Sequence, residues 1–507
     1  MTDSSDALPP RRPEDLKMME AGLKEPWRLP ALALEYSKLY SDGIRPVPYD
    51  LLPQEMSSRE LMGWWARTHD GLQATLNRPI TKAVQERPAP NYSSPLKGRI
   101  AELLGGEADD RRSVVFIHHA YYHFYYLARA LRERGWRAYS VSIENPRSPN
   151  NAFYHGEDLL LWDDDPWVRR ELQRELFEAV KTNFDMVHFH GDNAMTLFEK
   201  GLCNNNMRNG VPWDFLELKS HGVKIGQSIS GCLTGQRQSV FNAGTGGVCN
   251  HCVWQNNPSV CSDEKNGFVN DKYKLMLDLN ALEIDWPLDT SRQTPNTFYD
   301  PLTYCLDMNV WRPDLEIPDR IERLPREPGE ILVFHAVGNY SERDSRKEQR
   351  NIKGTPAVVE AIDRLRSEGL PVKLVFKTGV PSKDMRFYQI QADIIVDQLI
   401  YGRWGATARE TMALGLPTIC HIERKQPDGV PPSKALADCP LVEATPDTVY
   451  DAIKMLATDA EKRRTIGEAS RAFAEKWFGA EACAERFETV YDRLQAGKFP
   501  LYRPAKA

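Results

Sequence analysis

An alternation of short apolar runs with amphipathic helical stretches constrains the fold most, and it occurs twice in the chain. The first alternation begins at about residue 111, where residues 113–117 read SVVFI and a helical stretch follows over 122–134. Such short and largely apolar runs are typical of parallel strands that are buried on both faces. The second alternation begins with the run 331–334. The sequence therefore predicts an α/β protein with two units, each a parallel sheet covered by helices.

Further segments that we interpret as strands indicate the extent of the two units. They lie at 138–143, 186–190 and 224–229 in the first unit and at 372–376, 393–396 and 418–420 in the second. We place the first unit at 111–310 and the second at 311–490. Residues 1–110 are predicted to form a disordered tail and a small helical extension, and residues 491–507 a second tail.

The bulk properties of the chain agree with this division and exclude few functions. A chain of 507 residues is too long for a single hydrophobic core. Its net charge of -6 gives no general attraction to nucleic acid, so we expect no nucleic-acid partner. No apolar run approaches the roughly 20 residues that span a bilayer, and the polar amino terminus lacks the apolar core of a signal peptide. We therefore expect a cytoplasmic protein.

Two cations precede a predicted helix in the second unit. Arg350 and Lys353 are three residues apart and are followed by Gly354, between a strand and a helix amino terminus. Ligands of open parallel sheets bind outside the carboxyl ends of the strands, and helix amino termini favour anions there. This pattern suits a diphosphate. A solvated basic loop is the alternative, since other basic residues lie just upstream.

A glycine-rich turn precedes the next helix of the second unit. Gly402 and Gly405 bracket Arg403-Trp404, and Glu410 follows in the first turns of the helix. The pattern presents Glu410 and the N–H groups of the loop at the carboxyl edge of the sheet. The alternative is a capping box, in which Glu410 only binds the amide of a helix N-cap at Thr407.

Together these two segments resemble the donor domain of family-4 glycosyltransferases, which have the GT-B fold. Arg350 and Lys353 match the basic pair of that family, and residues 410–417, ETMALGLP, match its Glu-x-Met-Ala-x-Gly-x-Pro helix. Residues 185–191 and 307–313 resemble, more loosely, a cleft strand and the linker into the donor domain. The resemblance covers about residues 111 to 490. One position departs from the family pattern, because Gly402 stands where the family has a glutamate near the donor sugar.

The resemblance implies a retaining, hexosyltransferase-like enzyme with two Rossmann-like domains facing each other across a cleft. Its donor would be a nucleotide sugar, and its acceptor a glycan or lipid-linked hydroxyl, as in polysaccharide synthesis at a membrane surface. Arg350 and Lys353 would hold the diphosphate and Glu410 the ribose, with Gly405, Thr407 and Asp397 as further donor contacts. Asp397 or Gln398 could replace the missing glutamate. His118, His119, His188 and His190 end strands of the first unit, and His190 is our candidate to orient a sugar.

Two other functions stay open on the sequence alone. A nucleotide-sugar epimerase of the same fold would convert the donor without an acceptor. A non-catalytic nucleotide-sugar-binding or scaffold protein would explain Gly402. Transfer to a nucleic-acid base is disfavoured by the net charge.

The spacing of four cysteines predicts a metal site. Cys249 and Cys252 form a Cys-x2-Cys knuckle, with Cys261 downstream and Cys232 upstream. Four thiolates would close a tetrahedral structural zinc site that pins the insertion at 232–261 beside the acceptor cleft. Free thiols or an iron–sulfur cluster are the alternatives.

Overall fold

The computed structural model describes most of the two predicted units. The described residues are 94–105, 111–118, 121–148, 156–190, 197, 218–219, 221–229, 238–244, 247–252, 254–255, 257, 261–263, 277–282, 296–338, 352–424 and 433–502. The predicted amino-terminal tail and most of the helical extension lie outside these ranges, as do Arg350, Cys232 and His119.

The first unit is a sheet of seven parallel strands in the order β3-β2-β1-β4-β5-β6-β7. The strands are β1 Ser113–Ile117, β2 Arg137–Ser142, β3 Leu159–Leu160, β4 Met186–His190, β5 Lys224–Ile229, β6 Leu279–Leu282 and β7 Thr297–Phe298. The helices are α1 Pro95–Leu103, α2 His123–Glu133, α3 Pro166–Asn183 and α4 Gln238–Gly244, with a 3-10 turn at Val248–His251. The strand order reverses between β1 and β4, which is where doubly wound sheets bind ligands.

The second unit is a sheet of five parallel strands in the order β12-β11-β10-β8-β9. The strands are β8 Ile331–Ala336, β9 Val372–Lys377, β10 Ile394–Val396, β11 Thr418–Cys420 and β12 Val442–Glu443. The helices are α5 Thr355–Ser367, α6 Ser382–Gln389, α7 Ala406–Ala413, α8 Lys434–Asp438, α9 Val449–Thr458, α10 Ala460–Trp477 and α11 Ala480–Gln495. The order reverses between β8 and β10. The predicted fold of two Rossmann-like α/β domains is confirmed.

Helix α5 shows how local sequence sets an element of the second unit. Val358, Ile362 and Leu365 form its buried stripe, as their helical spacing predicts. The Thr355-Pro356 pair predicts an N-cap at Thr355, but the N-cap is Gly354, with φ +75. A Cβ on Gly354 would lie 2.9 Å from the Cβ of Leu399, so only glycine fits this turn.

The two units share part of their hydrophobic core. One cluster of buried side chains contains residues of the first unit, the linker and the second unit, including Phe116, Leu127, Trp311, Met412 and Phe487. Helix α11 packs on α2 of the first unit, and its Glu488 accepts hydrogen bonds from Arg134 Nε at 3.0 Å and Trp136 Nε1 at 3.1 Å. The carboxyl-terminal helix therefore ties the second unit to the first.

The carboxyl end of the chain differs from the tail that we expected from residue 491. Helix α11 continues to Gln495, and Leu501 and Tyr502 are buried. The ring of Tyr502 packs edge-on against Tyr299, with centroids 5.2 Å apart. Among the described helices, none combines the length and the apolar character that a bilayer crossing requires.

Two buried histidines stabilise the sheets in their neutral form. His188 on β4 lies 2.7 Å from Ser228 Oγ, and burial, with His190 nearby, lowers the pKa of His188 to about 3. His335 at the end of β8 lies 2.9 Å from the Val396 carbonyl through Nδ1 and 2.8 Å from Thr355 Oγ1 through Nε2. Because the carbonyl can only accept, Nδ1 carries the proton. Burial lowers the pKa of His335 to about 4.

We expect these two histidines to make the fold acid-sensitive. Their folded pKa values lie below the usual 6.5, so the unfolded chain gains protons first as the pH falls from about 6.5. Each histidine should cost about 2 kcal/mol of stability between pH 7 and pH 5. Thermal unfolding of His188→Gln and His335→Gln across this range should show a smaller pH dependence than the wild type. The exposed His221→Gln is the control, and equal pH dependence in all variants would contradict this prediction.

Candidate functional site

A buried carboxylate connects the two segments of the second unit that the sequence predicts to bind the donor. Lys353, just before α5, places its Nζ 2.8 Å from Asp397 Oδ1, at the end of β10. The side chain of Asp397 is fully buried, whereas that of Lys353 is 14% exposed. Asp397 Oδ2 accepts from the backbone N–H groups of Gly405 at 3.0 Å and Ala408 at 3.2 Å. Lys353 and the start of α7 therefore converge at the point where the strand order reverses.

The backbone N–H groups in the first turn of α7 differ in their hydrogen-bond partners. The N-cap is Gly405, and no side chain of the helix caps it. The first N–H groups of a helix have no hydrogen-bond partner within the helix. Here the carboxylate of Asp397 accepts hydrogen bonds from the N–H groups of Gly405 and Ala408. The N–H groups of Ala406 and Thr407, in the same first turn, have no hydrogen-bond partner among the described residues. A Cβ on Gly405 would lie 3.0 Å from Asp397 Oδ2, so a side chain there would crowd the carboxylate.

Glu410 on α7 is buried between the two units. Its Oε1 accepts a short hydrogen bond from the Tyr122 hydroxyl, at the start of α2, and its Oε2 accepts from Gln389 Nε2 at 2.9 Å. Burial raises the pKa of Glu410. The capping-box alternative is wrong, because α7 begins after Gly405, Thr407 lies inside the helix, and the carboxylate binds other partners.

Arg409, next to Glu410, makes a second contact between the units. Its guanidinium stacks on the Tyr304 ring at 3.8 Å and lies 3.3 Å from His123 Nε2. The other ring nitrogen of His123 lies 2.8 Å from the Cys305 carbonyl, which requires Nδ1 to be the donor. Nε2 is then the acceptor for Arg409. Helices α2 and α7 are therefore joined through both Glu410 and Arg409.

The carboxyl edge of the first sheet carries two histidines at its own reversal point. His118 follows β1, and its Nδ1 lies 3.3 Å from Glu144 Oε1. His190 ends β4 and lies edge-on to Phe124. His118 and Tyr121 have φ values of 72 and 65, a left-handed conformation that costs energy for such side chains. His188 is fully buried in the core of the sheet. Of the predicted histidines that fall within the described ranges, His118 and His190 therefore lie at the edge of the sheet.

The cysteine-rich insertion packs on the same two segments of the second unit. Three residues of the insertion form a small hydrophobic cluster with three residues of the second unit: Phe241, Val248 and Cys249 with Ile352, Ile400 and Tyr401. The rings of Phe241 and Tyr401 have centroids 5.6 Å apart. Ile352 precedes Lys353, and Tyr401 precedes Gly402. The insertion thus covers the turn that carries the cation and the glycine-rich turn.

The predicted zinc site finds no support. Among the described residues, no group of three or more His, Cys, Asp or Glu side chains is arranged to hold a metal ion. Cys249, Cys252 and Cys261 form no disulfide among the described residues, and burial raises the pKa of Cys249 to about 11. Apolar packing of Phe241 and Cys249 holds the described part of the insertion instead.

Several contacts of this site connect residues that the sequence patterns did not associate. The pairing of Lys353 with Asp397 was not predicted, although both residues were proposed as donor contacts. Tyr122, Gln389 and Phe241 were missed altogether. Tyr122 and Glu410 are 288 positions apart, and no local pattern relates them.

The solved structures that resemble this chain include enzymes that act on sugars. Sucrose-phosphate synthase from Thermosynechococcus elongatus is 16% identical with a TM-score of 0.43, over 76% of this chain and 100% of that one. A glycosyltransferase from Rickettsia africae is 11% identical with a TM-score of 0.45, over 76% and 99%. Starch synthase IV from Arabidopsis thaliana is 12% identical with a TM-score of 0.43, over 76% and 100%. Likenesses this distant assign no substrate.

No protein-family model and no curated protein matches the chain. The two doubly wound parallel sheets define the class of this protein as α/β. Its candidate anion site lies where the strand order of the second sheet reverses, at Lys353 and Asp397.

Proposed function

We propose that this chain is a retaining glycosyltransferase that moves a sugar from a nucleotide-sugar donor to a hydroxyl acceptor. The convergence of Lys353 and the α7 amino terminus carries the proposal, because together they suit the diphosphate of such a donor. Arg350, three residues before Lys353, is assigned to the same diphosphate from its spacing. We assign residues 111–310 to the acceptor side and 311–490 to the donor.

The chemistry that this site suits is stabilisation of a leaving group. The bond between the sugar C1 and the diphosphate oxygen breaks, and the acceptor oxygen bonds to C1 on the same face of the sugar. The acceptor proton passes to the departing diphosphate oxygen. Negative charge grows on the diphosphate, where Lys353 and the N–H groups of Ala406 and Thr407 stabilise it. The protein then needs no base of its own for the proton.

We assign the nucleotide ribose to Glu410, and ribose binding there requires an exchange of hydrogen-bond partners. The Tyr122 hydroxyl donates to this carboxylate, as a ribose hydroxyl would. Donor binding on this account displaces the Tyr122 hydroxyl from Oε1. His118 and His190, at the facing edge of the first sheet, are assigned to the acceptor or the donor sugar. A glycan or lipid-linked acceptor is proposed from the family resemblance.

A donor assay tests the proposal against its alternatives. Purified full-length protein is incubated with uridine, adenosine and guanosine diphosphate sugars, and free nucleotide and sugar products are measured. We expect slow release of nucleoside diphosphate with retention at C1, accelerated by a hydroxyl acceptor. An epimerised donor without release would indicate an epimerase. Binding without any turnover would indicate a scaffold protein.

A further inference from the structure

His335 connects the two chain segments that form the candidate anion site. It is fully buried near the end of β8, in register with Val396 of β10, the residue before Asp397. Its Nδ1 donates to the Val396 carbonyl at 2.9 Å, and its Nε2 accepts from the Thr355 hydroxyl at 2.8 Å. Thr355 is the first residue of α5 and follows Lys353 by two positions. One side chain therefore joins the segment that carries the cation to the segment that carries the buried carboxylate.

The backbone of Lys353 has to be held in place because its side chain is flexible. The ammonium group ends a flexible stem and lies 2.8 Å from Asp397 Oδ1. The Leu399 amide donates to the Lys353 carbonyl at 3.3 Å, which attaches the backbone to the segment after β10. The bond between His335 and Thr355 attaches the same stretch of chain a second time. Where the charge of Lys353 lies therefore depends on both attachments.

The surroundings of His335 hold its ring in one orientation. The ring stacks on Phe376 of β9, with centroids 5.9 Å apart and an angle of 24° between the planes. Every other residue of β8 is apolar, and burying an imidazole in such a strand costs free energy that its hydrogen bonds offset. An apolar side chain would pack here without that cost. The gain from a histidine is therefore the orientation that its two bonds impose on Thr355 and β10.

We propose that His335 is a positioning residue of the transfer reaction, which acts through the Thr355 hydroxyl to hold Lys353 against the donor diphosphate. This inference rests on the proposed function. By joining the first residue of α5 to the end of β10, His335 fixes the backbone from which Lys353 extends. The ammonium group then lies where negative charge grows as the bond between the sugar C1 and the diphosphate oxygen breaks. A misplacement of about 1 Å in such a group can cost about a hundredfold in rate.

Steady-state kinetics of the full-length protein test this role, with UDP-glucose, ADP-glucose and GDP-glucose as donors and release of nucleoside diphosphate as the readout. Thr355→Val removes the hydroxyl but keeps the branched shape. It should lower kcat at least about tenfold and change KM less than about threefold, because a misplaced Lys353 loses most of its effect in the transition state. Thr355→Ser keeps a hydroxyl, and its kcat should stay within about threefold of the wild type. His335→Phe retains the stacking on Phe376 and should lower kcat as much as Thr355→Val.

A double-mutant cycle with Lys353→Ala separates positioning from a general loss of stability. If Thr355 acts through Lys353, Thr355→Val should lower kcat less than about twofold in the Lys353→Ala background. Ser113→Ala is the matched control, because it removes a buried hydroxyl that bonds to Asp185 at the amino end of β1. It should lower the melting temperature and leave kcat unchanged. Thr355→Ala replaces Thr355→Val if the latter does not fold, since it also lacks the hydroxyl.

The possible outcomes separate this inference from the proposed function. A wild-type kcat in Thr355→Val and His335→Phe would show that His335 only stabilises the sheet, while the donor site stands. The same conclusion would follow if Thr355→Ser lost as much activity as Thr355→Val, or if the loss persisted in full in the Lys353→Ala background. A wild type that releases no nucleoside diphosphate from any of the three donors overturns both the proposed function and this inference.

Discussion

Lys353→Ala is expected to lower donor turnover by about a hundredfold, the usual loss for one charge-stabilising contact in a transition state. The contact with Asp397 adds a second effect that the sequence did not predict. Removing Lys353 leaves a fully buried carboxylate with only its two N–H donors. We therefore also expect a loss of about 3 kcal/mol of stability.

A double-mutant cycle with Asp397→Asn separates these two effects. Asparagine keeps an oxygen for the N–H groups of Gly405 and Ala408 but removes the buried charge. Lys353→Ala combined with Asp397→Asn should therefore regain most of the lost stability. Turnover should stay low if Lys353 binds the diphosphate. Recovery of both stability and turnover would show that Lys353 serves only to neutralise Asp397.

Glu410→Gln is expected to weaken nucleotide binding at least about tenfold while changing stability by less than about 1 kcal/mol. Glutamine still accepts from the Tyr122 hydroxyl. Its new amide donor can be met by Gln389, whose Oε1 has no hydrogen-bond partner among the described residues, after the Gln389 amide turns over. In this variant a bound ribose would lose a charged hydrogen-bond acceptor. Burial raises the pKa of Glu410 above its usual value of 4.5. Ionisation of Glu410 therefore costs the folded protein stability as the pH rises above about 4.5. The substitution by glutamine removes this cost of ionisation.

Two further variants control this prediction. Glu410→Ala should lose roughly 3 to 5 kcal/mol, because it opens a cavity and removes the acceptor of the Tyr122 hydroxyl and the Gln389 amide. Tyr122→Phe retains the carboxylate and removes its competing donor, so nucleotide affinity should be unchanged or higher. Normal nucleotide binding by Glu410→Gln would mean that Glu410 only joins the two units. Calorimetry and thermal unfolding of the same preparations provide both readouts.

On the proposed function, contacts across the units would couple donor binding to domain packing. Glu410 and Arg409 bind the first turn of α2, and Phe241 packs on Tyr401. The turn before α2 also contains the left-handed His118 and Tyr121. On the proposed function, a nucleotide that displaces Tyr122 from Glu410 would act on this turn directly.

The sequence by itself determined the elements of the fold. The predicted strands at 113–117, 186–190, 224–229 and 418–420 have the predicted bounds. The run 113–117 is the clearest case, since buried parallel strands are typically short and apolar. The apolar stripe of α5 was also predictable, since helical periodicity depends only on neighbouring residues. Arg350 stays a prediction, because it lies outside the described residues.

Only the tertiary structure decided the partners of the site residues. Asp397 bonds Lys353 from 44 positions away, and Tyr122 reaches Glu410 across 288. Cysteine spacing predicted zinc, but spacing along a chain does not set the distances between thiols in a fold, and the described thiols form no metal site. Side-chain partners depend on which segments pack together, and that follows from burial of the whole core.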